Sequence, residues 1–468
     1  MGEYAMTIDG HAVEGAKFFP VINPATGAPF ADAPECTPQQ LEDAVNAAQR
    51  AFVSWRQDEA GRRQALRACG PVIRNHVDLL ANTLTREQGK PLQRAVAEVE
   101  ETASYFEGIS ARPIPCDILK DDAKERIEVH RKPFGVVAAI LPWNFPLSLA
   151  AWKIGQALLT GNTIVLKPSP YTPLSTLKMG ELLLSVLPHG VLNIISGGND
   201  LGAQMTTNPL VRKISFTGSV ATGRKIAQVA AVDLKHVTLE LGGNDPAIVL
   251  PDVDPARIAE KLFWSAFYNC GQVCIAVKRA YVHEDIYSKM VESLVDVARR
   301  TKVGDGFDPT VQIGPLNNRM QFERVIALVD DAKKSGATMA TGGDPRPGSG
   351  YFFEPTIVKD ISDGTRLVDE EQFGPVLPVL SYRDTEDALE RANSTHFGLG
   401  GSIWTNDIDR GMEIAARLEC GTGWVNQHAA VDASVPFGGA KWSGIGHELG
   451  TWGLDAYSQL QVVRAAKG

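Results

Sequence analysis

No stretch of the 468-residue chain approaches the roughly eighteen uninterrupted apolar residues that a membrane-spanning helix requires. The apolar run Val136-Val137-Ala138-Ala139-Ile140-Leu141 stops at Pro142. Basic charge is in the minority: 46 Lys and Arg against 55 Asp and Glu give a net charge of −9. No basic run offers a footprint for nucleic acid. The start, Met1-Gly2-Glu3-Tyr4-Ala5-Met6, lacks the basic region and apolar core of a secretory signal, and Met6 stands where myristoylation of Gly2 needs Ser or Thr. A cytoplasmic protein with no membrane or nucleic-acid partner is therefore expected. Cysteine is sparse. Cys36, Cys69, Cys116, Cys270, Cys274 and Cys420 are too scattered for a disulfide framework, and no C-x2-C or Cys/His cluster has zinc spacing. Cys270 and Cys274 form C-x3-C with no second pair nearby, so no metal is expected. Polar low-complexity tracts are absent too, which excludes disorder as a description of the whole chain.

What is present is an ordinary globular composition, 44% hydrophobic and 22% charged, with 44 Gly and 28 Pro. At roughly 150 residues per domain the length suggests about three domains. About three quarters of the unfolded surface of such a chain is buried on folding, ample for a self-sufficient core. After an extended start with turn chemistry at Asn23-Pro24-Ala25-Thr26-Gly27, helical spacing runs over 41–55, 62–86 and 95–109. From Ile127 strands alternate with helices. Strands are expected at 136–141, 162–167, 191–195, 213–216 and 237–241, and helices at 147–159 and 174–187. A second alternating block spans 247–403. Apolar strands alternating with helices indicate parallel sheets covered on both faces, an α/β architecture. No Ser/Gly linker separates the blocks, so a packed hinge is expected near Gly242-Gly243.

The best phosphate-loop candidate is Lys213-Ile214-Ser215-Phe216-Thr217-Gly218-Ser219-Val220. Val220, Gly223, Ala227, Ala230 and Leu234 follow at helical spacing, so Gly218-Ser219 should lie at a helix N-terminus, which favours an anion. The spacing from Gly218 to Gly223 is that of a P-loop, but Arg224-Lys225 replaces the required Lys-Ser/Thr, and G-x-G-x-x-G is absent. Three other segments are polar in apolar surroundings. Val237-Thr238-Leu239-Glu240-Leu241-Gly242-Gly243 puts a carboxylate at a strand end, Gly271-Gln272-Val273-Cys274 puts a thiol in a glycine-led turn, and Pro142-Trp143-Asn144-Phe145-Pro146 puts an amide between two prolines. Thiol, base and amide are what acyl transfer through a cysteine needs. Taken singly, an inert thiol, a solvated strand end and a turn-forming Asn explain them as well.

Together with Lys167-Pro168-Ser169, Glu370-Glu371-Gln372-Phe373-Gly374-Pro375 and Pro436-Phe437-Gly438-Gly439, these motifs resemble, in order, those of the NAD(P)-dependent aldehyde dehydrogenase superfamily. The 34-residue interval from Glu240 to Cys274 matches as well. The resemblance implies that Cys274 is the nucleophile, Asn144 an oxyanion donor beside the Cys274 backbone N–H, and Glu240 the base that hydrolyses a thioester, with Lys153 and Glu448 in a proton relay. It implies a cofactor site of Pro142, Trp143, Lys167, Ser169, Gly198, Phe216, Gly218, Ser219, Leu241, Glu371 and Phe373. The implied substrate tunnel is Phe145, Leu149, Trp152, Tyr268, Val273, Ile275, Val431 and Phe437, with His428 and Asp432 nearby in sequence.

One departure bears on the cofactor. Family members that prefer NAD commonly carry a glutamate three residues after the lysine, and here that residue is Pro170, so NAD or NADP is expected without strong preference. The tunnel positions hold no Arg or Lys, which points to a neutral apolar aldehyde, aromatic or medium aliphatic. Glu240 speaks against a CoA-acylating enzyme, and the joint retention of Cys274, Glu240 and Asn144 against a catalytically silent protein on the same fold. Two doubly wound parallel-sheet domains are implied: a dinucleotide-binding domain of 1–113 and 134–242 with 443–457 packed back, and a catalytic domain of 243–442. Residues 114–133 and 458–468 would form a small β oligomerisation extension, giving a homodimer or homotetramer. Were 270–274 helical, Cys270 and Cys274 would be neighbours and open to reversible oxidation.

Overall fold

A computed structural model describes residues 3–467; Met1 and Gly2, on which the myristoylation reading turns, and Gly468 lie outside the described residues. Two large sheets dominate. In the first, the strands run in the order Gly444–Ile445, His236–Glu240, Val211–Thr217, Val136–Ile140, Thr163–Lys167, Leu192–Ile194, Met6–Ile8, His11–Val13. The five from His236–Glu240 to Leu192–Ile194 are mutually parallel, with antiparallel strands added at either edge. The apolar runs of Val136–Ile140 and Thr163–Lys167, at the centre of the sheet, are almost wholly buried, as a sheet covered on both faces demands.

Strand order sets where a ligand can bind. From Val136–Ile140 the chain winds outward through Thr163–Lys167 and Leu192–Ile194, then returns to lay Val211–Thr217 and His236–Glu240 on the other side. The two halves diverge between Val136–Ile140 and Val211–Thr217, and a crevice opens beyond the carboxyl ends of strands at such a switch point. The second sheet is also doubly wound, in the order Thr338–Thr341, Thr356–Lys359, Val376–Tyr382, Val277–His283, Asp245–Val249, Gly400–Trp404, Thr422–Val425. A separate antiparallel sheet joins Ser458–Ala466, Glu125–Pro133 and Asp117–Asp121. Asn23 to Gly27 forms the expected turn, closing the hairpin of Lys17–Asn23 and Ala28–Glu35.

Leu241-Gly242-Gly243-Asn244 joins the end of a first-sheet strand directly to the start of Asp245–Val249 in the second. Such close apposition needs glycine. A Cβ on Gly242 would lie 2.2 Å from Glu371 Oε2, and one on Gly243 would lie 2.6 Å from the Cys274 carbonyl. The C-terminal segment returns here too: Leu241 N donates to Ser443 O at 2.9 Å, and Gly444 pairs with Glu240.

Several expectations need correction. The 62–86 pattern is two helices, Glu59–Arg74 and Val77–Gln88, because the ladder runs past Pro71 and breaks at His76, whose φ of −122° is not helical and whose N donates to Ile73 O instead of the carbonyl four residues back. The helix at 174–187 ends as Leu174–Leu183 and continues only as turns. In Val220–Val232 the buried face is Gly223, Ile226 and Ala230, while Leu234 lies beyond the helix and is exposed. No helix among the described residues is long and apolar enough to cross a membrane.

Candidate active site

Where the carboxyl ends of the first sheet face the second, a cavity of about 1730 Å³ opens. Ordinary small-ligand pockets run to roughly 300–1,000 Å³, so this one has room for two molecules. Cys274, Glu240, Asn144 and Glu448 all line it.

Cys274 sits in the loop leading to Val277–His283. The preceding residues Asn269, Cys270 and Gly271 adopt φ of 51°, 60° and 71°, three successive left-handed conformations. Such strain, of order 1–3 kcal/mol per non-glycine residue, persists only where surroundings enforce it. Here Gln272 Nε2 donates to Asn269 O at 2.9 Å, Asn317 N donates to Gln272 Oε1 at 2.8 Å, and a Cβ on Gly271 would strike Gly374 O at 2.2 Å. The helical relation between Cys270 and Cys274 is thereby overturned. Cys270 is buried in the core of the second sheet, whereas Cys274 packs against the core of the first. Burial pushes the Cys274 thiol up to about 12, opposed by the ammonium of Lys278.

Asn144 lies just past the strand Val136–Ile140 and is 3% exposed. Its Nδ2 donates to Gln272 O at 3.0 Å, and its own carbonyl accepts from Lys90 Nζ at 3.0 Å and Asn269 Nδ2 at 3.1 Å. Lys90 is paired with Glu98, whose other oxygen accepts from Leu147 N at 3.1 Å and Ser148 N at 3.3 Å at the start of helix Pro146–Leu159. Sequence reading missed this buried pair; Lys90 sits beside Gly89 and Pro91 in what reads as a plain turn.

Both carboxylate oxygens of Glu240 are buried without a hydrogen-bond partner. Burial raises its pKa well above the ordinary carboxylate range, Glu448 raises it further, and Lys153 lowers it. Lys153 and Glu448 are fully buried and ion-paired, with Lys153 Nζ also donating to Ser215 Oγ at 2.9 Å. Lys153 is not among the residues lining the cavity.

Of the cofactor set, Pro142, Trp143, Gly218, Ser219, Leu241, Glu371 and Phe373 line the cavity, and Lys167, Ser169, Gly198 and Phe216 do not. Phe216 lies beneath Gly218, where a Cβ would meet its ring at 2.5 Å. Gly198 precedes helix Asn199–Thr207 with open space around it. Ser169 Oγ accepts from Tyr171 N at 3.3 Å, and burial brings Lys167 down to about 8. The residues fit a dinucleotide. Gly218-Ser219 opens the 13-residue helix Val220–Val232 toward the cavity, Thr217 Oγ1 is buried there without a partner, and Gly243 N donates to Glu371 Oε1 at 3.1 Å, holding that carboxylate in place. Trp143 meets Phe373 edge to face at 5.3 Å. Burial raises Glu371 above its ordinary range, against the pull of Lys278.

All eight tunnel residues line the cavity. Phe145 and Tyr268 lie parallel at 6.2 Å, and Trp152 meets Phe437 edge to face at 5.8 Å. Tyr105, Ile109 and Trp264 also line it, although their helical spacing marks them only as core. His428 lines it as well, its Nε2 bonded to Ile275 O at 2.8 Å, whereas exposed Asp432 does not and binds Ser434 instead. Arg112, Arg257 and Lys261, unseen from sequence, line the cavity beside Glu101 and Glu260; Arg112 is partly buried and the other four are exposed.

Among the described residues one Cys/His/carboxylate group has metal-ligand proximity, Cys116, Glu128 and His130, which sequence spacing conceals. It lies on the three-stranded sheet, and none of the three lines the cavity.

A family model described as "Aldehyde dehydrogenase family" matches residues 12–463. Retinaldehyde dehydrogenase 3 of Rattus norvegicus is 38% identical over 470 residues, covering 97% of this chain and 91% of that protein. The solved NAD+ complex of aldehyde dehydrogenase from Bacillus cereus superposes with a TM-score of 0.97 at 38% identity, covering 99% of this chain and 96% of that one. An NADP-dependent enzyme from E. coli gives a TM-score of 0.96 at 36% identity, covering 99% and 98%.

Proposed function

The chain belongs to the aldehyde dehydrogenase family and is an NAD(P)-dependent enzyme, and we propose that it oxidises a neutral apolar aldehyde, aromatic or of medium aliphatic length, through a thioester on Cys274. The observation that carries this reading is the convergence of Cys274, Asn144 and Glu240 on one cavity whose eight tunnel residues are apolar or aromatic.

Cys274 attacks the aldehyde carbon, and the side-chain amide of Asn144 with the Cys274 backbone N–H holds the oxyanion. A dinucleotide held by Glu371 and Phe373 would supply the hydride acceptor for the substrate carbon. Glu240 then takes a proton from the water that hydrolyses the thioester to a carboxylic acid, and the pair Lys153–Glu448 relays that proton through the interior. Pro142, Trp143, Gly218, Ser219 and Leu241 would cradle the adenosine and pyrophosphate, supported from behind by Lys167, Ser169, Gly198 and Phe216, while Glu371 and Phe373 would hold the nicotinamide ribose and ring.

Pro170 neither accepts from a ribose hydroxyl nor repels a 2′-phosphate, so both cofactors serve. The relatives with NAD+ bound and with NADP dependence are compatible with that reading. A relative named for retinaldehyde supports an apolar substrate. Residues 1–113, 134–242 and 443–457 are read as the cofactor domain, 243–442 as the catalytic domain, and 114–133 with 458–468 as the strands that pair subunits in a homodimer or homotetramer.

An aldehyde panel assayed with both cofactors, on wild type and Cys274→Ser, tests the proposal. Expected are loss of activity in the variant, best kcat/KM on apolar aldehydes, and less than a 1,000-fold preference between cofactors. Succinic semialdehyde winning by 100-fold would refute the substrate class, and activity retained by Cys274→Ser would refute the thioester.

A further inference from the structure

The geometry points to Lys278 as a positioning residue that ties the nucleophile loop to the carboxylate of Glu371, an inference resting on the roles proposed above for Cys274 and Glu371. Lys278 is the second residue of the strand Val277–His283 and is 1% exposed, an anomalous place for a lysine in an apolar sheet. Its Nζ donates to Val273 O at 2.8 Å and Cys274 O at 3.1 Å, reaches Ala276 O at 3.5 Å, and lies 3.7 Å from Glu371 Oε1. Three ammonium donors thus meet three loop carbonyls and a carboxylate.

The bond to Val273 O has a specific consequence. That carbonyl and the Cys274 N–H belong to one planar trans peptide and point in opposite directions. Lys278, with Ala276 N donating to the same oxygen at 3.1 Å, therefore holds that carbonyl on its side and aims the Cys274 N–H, the proposed oxyanion donor, away from it. Hydrogen bonding to an ammonium also polarises the peptide toward stronger donation. Gly243 allows the approach, since a Cβ there would lie 2.6 Å from Cys274 O.

The same charge acts on both functional groups. It favours the thiolate of Cys274 against Glu371, Asp245 and Glu240, and it favours the ionised form of Glu371 against burial and Asp245, with Arg324 assisting. His428, packed on Ile275 O, completes the titratable surroundings of the loop.

The test uses the full-length protein without cofactor or aldehyde. Alkylation of Cys274 by iodoacetamide is followed by mass spectrometry from pH 6 to 10 in wild type, Lys278→Met and Lys278→Gln. Met preserves volume without charge; Gln keeps N–H donors without charge. Both are expected to slow alkylation about tenfold at every pH across this range, which lies below the thiol's midpoint, with kcat falling more than aldehyde KM changes. Folded variants, judged by circular dichroism, that alkylate along the wild-type curve would overturn the assignment. Should Met not fold, Gln alone decides, with the same two outcomes. Failure of the underlying reading would show separately, as aldehyde oxidation by Cys274→Ser.

Discussion

The side-chain amide of Asn144 donates to the carbonyl of Gln272 at 3.0 Å, so a residue at a strand end of the first sheet is pinned to the nucleophile loop of the second. One amide hydrogen is committed to that anchor and the other remains for an oxyanion. Asn144→Ala is therefore expected to lower kcat by about 10²–10³, the usual cost of one oxyanion donor. Cofactor affinity should stay within about twofold, because Lys90 and Asn269 hold the backbone of residue 144 rather than its side chain. Steady-state kinetics with a fluorescence titration of cofactor check both.

In the proposed mechanism Glu240 works as a base only when ionised, and its pKa is raised first by burial and then by Glu448. Turnover limited by thioester hydrolysis should therefore rise with pH, along a limb above the ordinary carboxylate range. Glu448→Gln removes a charge that raises this pKa and leaves Lys153, which lowers it. The limb is expected to move to lower pH in that variant. Glu240→Gln should cost about 10²–10⁴ in hydrolysis while leaving a burst of one NAD(P)H per site. A Glu448→Gln limb that moved upward would contradict the electrostatic account.

How much of this was legible in the sequence follows from range. The strands at 136–141 and 162–167 announce themselves because a sheet covered on both faces needs uninterrupted apolar runs, and Gly242-Gly243 marks the junction because two chains pass within contact there. Helix ends were poorly legible: nothing periodic distinguishes Asn75-His76 from the helices it separates. The supports of the site were invisible for another reason. Lys90 reaches Asn144, Glu98 reaches Leu147 and Lys278 reaches Glu371 across long sequence separations, and each looks alone like a surface charge. The left-handed backbone at Asn269 and Cys270 is likewise imposed by Gln272 and Asn317.

Lys213 is fully buried, donates to Thr238 Oγ1 at 2.7 Å, and is brought by burial from 10.5 down to about 7. Between these values the unfolded chain holds a proton that the native state lacks, so stability rises with pH across that window. Below pH 7 the native state carries the whole cost of a buried ammonium. Lys213→Met should therefore stabilise, by up to about 4 kcal/mol near pH 7 at about 1.4 kcal/mol per unit. The gain should shrink toward zero near pH 10.5. Thermal melts of both proteins from pH 6 to 10 measure it, and a gain that grew with pH would contradict the burial account.

On the proposed reading, cofactor choice turns on one position. Pro170 offers no acceptor to a ribose 2′-hydroxyl and no charge to repel a 2′-phosphate. Pro170→Glu supplies both, so kcat/KM with NADP should fall at least tenfold while that with NAD holds or rises. Paired assays with the two cofactors decide, and an unchanged ratio would move the adenosine ribose away from residue 170.

The sheet of Ser458–Ala466, Glu125–Pro133 and Asp117–Asp121 stands on the surface with Leu119, Leu460 and Val462 at 68%, 65% and 59% exposure. Leu460 and Val462, two residues apart, share one face of their strand, where Val462 pairs with Val129. A contiguous apolar face left in water marks an interaction surface and gains from a partner over it. Wild type is therefore expected to sediment and scatter light as a dimer or larger. Val462→Asp places a charge in the covered face without breaking the ladder bonds of the strand, so the protein should shift to smaller species while keeping its far-ultraviolet circular dichroism. A wild-type monomer at micromolar concentration, or a Val462→Asp assembly as large as wild type, would leave that apolar face uncovered and remove the case for subunit pairing through these strands.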